Sequence, residues 1–126
     1  MSEPSDNYGG TAHGLTAYAE ITDVHTADML DRTMVEVAQW IKSSAGCFLG
    51  HVKMAITTGT RTTTFNLTDL KTGVEHHGPL DVGVRADIRF MAAVVDVDHD
   101  ELAAKMKDAL VHNGFKIKNK NIIELG

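Results

Sequence analysis

The sequence predicts an α+β fold of the ferredoxin-like split βαβ kind, a sandwich of order βαββ(β)βαβ with two helices on one face of an antiparallel sheet. Three observations predict it. An apolar strand ending in Asp-Val, then an amphipathic helix, then another strand occurs twice, from Leu15 through Asp23-Val24 to Ile56 and from Ala86 through Asp96-Val97 to Ile123. Apolar residues alternate along the strand segments and recur at helical spacing in the segments that link them. Between the two copies lie a hairpin strand and a glycine-bordered stretch of histidines.

Residues 1–14 hold Pro4, Gly9, Gly10 and Gly14 among small polar side chains, which predicts a tail ahead of one domain spanning 15–126. Leu15, Ala17, Ala19 and Ile21 alternate with Thr16, Tyr18, Glu20 and Thr22, as in a half-buried strand. Thr26 is placed to cap the following helix, and Asp28 suits the dipole of its first turn. Leu30, Met34, Val37, Ala38 and Ile41 form its apolar stripe, and Ala45-Gly46 ends it. Trp40 falls outside the middle of that stripe, where it either covers the helix edge or touches a partner chain.

From Leu49 to Thr57, Val52, Met54 and Ile56 point one way and His51, Lys53 and Ala55 the other. A turn at Thr58-Gly59 leads into Arg61–Leu67, where Thr63, Phe65 and Leu67 share a face, so these strands form a hairpin. Residues 69–84, with Gly73, His76-His77-Gly78-Pro79 and Gly83, read as a long loop or a short edge strand. The next strand has Ile88, Phe90, Ala92 and Val94 on its core face, while Met91, Ala93, Val95 and Val97 make its other face almost as apolar. Such a strand belongs at the centre of a sheet whose second face is also covered. Asp98 caps the second helix with Glu101 in capping-box position, and Leu102, Met106, Ala109 and Leu110 supply the stripe. Gly114 fits a left-handed stop, and Phe115–Ile123 forms a last strand with Phe115, Ile117 and Ile122 inward.

The composition narrows the function. In 126 residues there are 12 basic and 17 acidic side chains, a net charge of −5, and the only basic run is Lys116, Lys118 and Lys120. Nucleic acid is a poor partner for such a chain, because phosphate binding needs a concentrated positive field. The single cysteine, Cys47, cannot close an intramolecular disulfide, the acidic N-terminus lacks an apolar signal core, and no apolar run is long enough to span a bilayer. A cytoplasmic protein away from membranes is expected. There is no phosphate-binding glycine loop, no paired-cysteine motif and no serine elbow, so no catalytic residue is assigned.

The side chains that could carry chemistry are few. His51, His76 and His77 are candidate ligands for a divalent metal, although adjacent histidines in a strand point to opposite faces. Cys47 and His51 are close in sequence, but a strand beginning at Leu49 separates them, which favours a buried structural cysteine. Asp96, Asp98, Asp100 and Glu101 around His99 lack the glycine and downstream glutamate of a calcium loop and are explained by capping. Arg85, Asp87 and Arg89 alternate on one strand face and form solvated ion pairs or grip an anion.

The segment Leu15-Thr-Ala-Tyr-Ala-Glu-Ile, the helix, and then Leu49-Gly-His-Val-Lys-Met resembles, over about 45 residues, the C-terminal domain of CobW-type metallochaperone GTPases. In that family a helix is followed by a strand with a His-x-Lys, matched here by His51 and Lys53. The family's GTPase domain and metal-binding cysteine motif are absent. The resemblance therefore implies a stand-alone accessory domain linked to metal or corrinoid handling. The expected function is a non-enzymatic binding module that oligomerises through its sheet, as a homodimer or higher homo-oligomer. It would present Tyr18, His51, Lys53, His76, His77 and Arg89 to a ligand or protein partner. The alternatives are a small metal-binding protein using its surface histidines, and a small enzyme with His51 as base at an intersubunit site.

Overall fold

The computed structural model describes residues 10–21, 24–81 and 83–118. Eight elements follow along the chain: β1 (Gly10–Ile21), α1 (Val24–Ala45), β2 (Gly50–Thr58), β3 (Arg61–Leu67), β4 (Glu75–His77), β5 (Val84–Val95), α2 (His99–His112) and β6 (Lys116–Ile117). The strands form one six-stranded sheet in the order β4-β3-β2-β5-β1-β6, with every neighbouring pair antiparallel. It follows that β1 and β2 run parallel with β5 between them, and that β5 and β6 run parallel with β1 between them. The chain is thus α+β, and the doubled strand–helix–strand unit of the sequence becomes two interleaved crossovers.

Both helices form where their stripes can be buried. Leu30, Met34, Val37, Ala38 and Ile41 of α1 and Leu102, Met106, Ala109 and Leu110 of α2 are fully buried. They join Ala17, Val52, Met54, Ile56, Phe65, Leu67, Ala86, Ile88, Phe90, Ala92 and Val94, one alternating face of the sheet, in a single core cluster. Trp40 is half-buried against the edge of that cluster. Asp98 caps α2 by accepting a hydrogen bond from the Glu101 N–H at 3.0 Å. At the other end Gly114, at φ +95°, lets the N–H groups of Phe115 and Gly114 reach back to the Leu110 and Val111 carbonyls. Glu36 ties the helices together: its carboxylate takes Lys105 Nζ at 3.1 Å and the Asn113 side-chain amide at 3.3 Å. No helix among the described residues is long and apolar enough to cross a membrane.

The structure differs from the sequence expectations at four places. Strand β1 begins at Gly10, so Gly10–Gly14, read as tail, are paired in the sheet with Val95–Met91. Val97, expected on the second face of β5, is buried in the core, because Asp96 adopts φ +64° and turns the chain before α2. Cys47, expected to be buried, is exposed: the link after Gly46 runs over the surface and it is Phe48 that packs inward. Thr26, expected to cap α1, falls within its first turn, because the helix starts at Val24. Of the last strand expected over Phe115–Ile123, residues 119–123, the inward Ile122 among them, lie outside the described residues, and Lys116–Ile117 form strand.

Candidate functional site

The second face of the sheet, opposite the core cluster, divides into an apolar and a polar half. In the register of β1 and β5, Gly10 opposes Val95, Ala12 opposes Ala93 and Gly14 opposes Met91, while His51 and Lys53 of β2 oppose Ala93 and Met91 from the other side. Met91, Ala93 and Val95 are half-buried, and Leu49 beside them is 56% exposed. Leu49, Ala93 and Val95 line, with Gly10 and Ala12, a depression of about 480 Å³. A single-layer antiparallel sheet ordinarily turns polar residues to water on such a face.

The other half is charged. The Arg85 guanidinium lies 4.2 Å above the centre of the Tyr18 ring. Asp87 Oδ1 is 2.6 Å from Lys118 Nζ and 3.5 Å from Arg85, so its single negative charge is shared between two cations. The hydrogen bond from Lys118 holds the Asp87 carboxyl below its usual range against the opposing effect of burial, and the charges of Lys118 and Arg85 add to it. Arg89 is exposed, between Thr16 and Ala55, and borders a second depression of about 430 Å³ with Met91, Thr16 and Lys118.

A carboxylate with a depressed pKa stabilises the fold above the ordinary carboxylate range and loses that contribution as pH falls through its folded value. Asp87→Asn should therefore lower stability at neutral pH by up to about 1 kcal/mol, since the pair is half-exposed. The difference from wild type should shrink and vanish as pH falls through the lowered pKa of Asp87, and denaturant unfolding of both proteins from neutral to acidic pH measures it. A gap that persists unchanged at low pH would show that the charge of Asp87 is not what matters.

Five of the six surface residues picked out in the sequence share this second face. Tyr18, His51, Lys53 and Arg89 surround its centre, and His77 stands at its far edge, 4.0 Å from Glu75. His76 does not join them. It stacks on Phe65 at a ring separation of 4.0 Å on the opposite face and bonds Asp31 of α1 at 2.7 Å. His77 pairs through Thr64 to Ala55, four residues along β2 from His51. That offset, with two strand spacings, separates the two histidines by about 16 Å, too far to share an ion. Among the described residues no group of three or more His, Cys, Asp or Glu side chains is placed to hold a metal ion.

One pair was missed by the sequence reading. His13 of β1 and His99, the first residue of α2, face each other with Nδ1 and Nε2 3.3 Å apart and their rings nearly perpendicular. Burial, and then the neighbouring His99, push the His13 pKa below its ordinary value. The two residues are 86 positions apart, so no local spacing could have signalled the contact. Comparison with protein-family models, with curated proteins and with solved structures returns no match, so the functional reading rests on the arrangement of these side chains.

Proposed function

We propose that the chain is a cytoplasmic, non-enzymatic binding module of ferredoxin-like split βαβ architecture, with both helices on one side of the sheet and a second copy of the chain on the other. The observation that carries this reading is the apolar centre of the second face, Met91, Ala93 and Val95 flanked by Ala12, Gly14 and Leu49. Residues as small as Gly10, Ala12, Gly14 and Ala93 let another sheet approach closely, and Met91 and Val95 provide side chains to fill the gap. A twofold axis through such a patch makes it self-complementary. His51, Lys53, Arg89 and the Tyr18–Arg85 stack form a polar rim around it, which is the anatomy of a protein interface. The CobW-type resemblance supports an accessory role, with His51 and Lys53 at the border where a further partner would dock.

Native mass spectrometry of untagged protein tests the reading. The wild type should run as a dimer or higher homo-oligomer at micromolar concentration, and Met91→Glu, which places a charge in the apolar centre, should run as a folded monomer. A wild-type monomer, or an oligomer undisturbed by Met91→Glu, would overturn it.

A further inference from the structure

We propose that His13 and His99 form a two-imidazole site for a divalent transition-metal ion, at the end of the sheet where β1 meets the start of α2. The facing nitrogens stand 3.3 Å apart. Two imidazole nitrogens bound to one tetrahedral ion at about 2.0–2.1 Å are themselves separated by about 3.3 Å, so the pair is already spaced as two ligands of one ion.

A second observation sets the chemistry of the pair. Nδ1 of His99, the nitrogen turned away from His13, lies 3.3 Å from Asp100 Oδ1. A carboxylate at that position holds the proton on Nδ1 and leaves Nε2 as a lone pair aimed at His13. This is the carboxylate–histidine–metal arrangement that orients ligating imidazoles. His13 is the member whose tautomer is unconstrained by a second partner among the described residues. Protonated on Nδ1 it donates one hydrogen bond to His99; protonated on Nε2 it turns a second lone pair toward the same point. In that second state the two lone pairs repel unless a cation lies between them, and a metal ion converts the repulsion into two coordinate bonds.

The backbone supports this spacing. His13 sits in the paired stretch of β1 opposite Ala92, and Thr11, two residues earlier, bonds the Val97 carbonyl at 2.8 Å, which pins the strand to the turn that leads into α2. His99 is fixed by the Asp98 cap next to it. Both donors thus stand on secondary structure and not on a loose loop. The site is at the surface: His99 is exposed and His13 is half-buried. Two protein ligands leave the remaining coordination positions to water, which describes an exchangeable site for Zn²⁺, Ni²⁺ or Cu²⁺ and not a structural one. This inference does not depend on the sheet-face interface, which uses other residues.

The test is titration of the untagged full chain with Zn²⁺, followed by calorimetry and by imidazole ¹⁵N resonances. Saturable binding should shift His13 Nδ1 and His99 Nε2 specifically. His13→Ala and His99→Ala should each weaken binding at least about 10-fold, and Asp100→Asn should weaken it by roughly 10-fold with both ligands still present. The triple variant His51→Gln, His76→Gln, His77→Gln should bind like the wild type. Binding that survives loss of both His13 and His99, or that disappears only in the triple variant, overturns the proposal. So does a wild type whose two nitrogens do not respond to Zn²⁺, the behaviour of a plain hydrogen-bonded pair. The nitrogen shifts are read on wild-type protein, so the answer does not hang on any variant's folding.

Discussion

Gly50→Ala is expected to be among the most damaging single substitutions in the protein. Gly50 opens β2 at φ +128°, a backbone conformation that side-chain-bearing residues rarely adopt. A Cβ there would sit 2.1 Å from the Ala93 carbonyl oxygen and 2.8 Å from Val94 Cα. Both are backbone atoms of β5, the central strand, which cannot rotate aside as a flexible side chain would. Relief requires β2 to move away from β5, and the register between Gly50–Thr57 and Val94–Asp87 is what holds the hairpin half of the sheet to the rest. Backbone strain of about 1–3 kcal/mol and steric overpacking of about 1–3 kcal/mol together predict a loss of about 2–6 kcal/mol. That is a large share of a total stability of about 5–15 kcal/mol. Gly59→Ala is the control. Its φ is +65°, but an added Cβ meets nothing within 4 Å, so only the conformational cost applies, about 1 kcal/mol. Denaturant midpoints for the two variants check the argument, and equal losses would mean that the close approach at Ala93 does not constrain β2.

Gly50 also shows where the sequence was legible. The glycine was visible, but its meaning was not, because the atoms it avoids belong to a strand more than 40 residues away. Local pattern did reveal what local physics controls. Every stripe residue read for α1 and α2 is buried, the Thr58-Gly59 turn joins β2 to β3, and Asp98 caps α2. These elements are set by hydrophobic period, capping and turn chemistry within a few residues. The start of β1 was not legible. Gly10–Gly14 have the composition of a tail, and they become strand because β5 offers an unpaired edge alongside them. Val97 was misplaced because strict alternation was carried past Asp96, whose left-handed backbone resets the parity.

The candidate surface was read in part for the same reason. Strand parity placed Tyr18, His51, Lys53 and Arg89 on one face without knowledge of the partners, since alternation alone decides which face a side chain takes. Parity also separated His76 from His77, but it could not reveal that Asp31 on α1 and Phe65 on β3 would hold His76. The His13–His99 contact is purely tertiary. Its two members come from a segment read as tail and from an acidic stretch read as a helix cap, and they meet through the pairing of β1 with β5 and the turn at Asp96.

Adjacent residues of β5 supply the second large effect, because they separate stability from association. Phe90 is fully buried, with Leu15 and Met54 as its register partners on either side. Phe90→Ala leaves a cavity in the centre of the core and should cost about 3–5 kcal/mol. Met91, the next residue, turns to the opposite face and packs against none of the helices' buried stripes. Met91→Ala should change the stability of the isolated chain by less than about 1.5 kcal/mol, since the group it removes is only half-buried. Its main effect should fall on assembly, where the side chain would fill the space between two sheets. Unfolding followed at several protein concentrations separates the two contributions, because stability from association depends on concentration and stability from the core does not. Phe90→Ala should shift the curves equally at every concentration, whereas Met91→Ala should remove their dependence on concentration. If wild-type unfolding is already independent of concentration, the apolar centre of the second face has no second copy against it, and the binding-module reading loses its main support. If Met91→Ala costs as much as Phe90→Ala in dilute protein, Met91 belongs to the chain's own core and the two faces of β5 are not distinct.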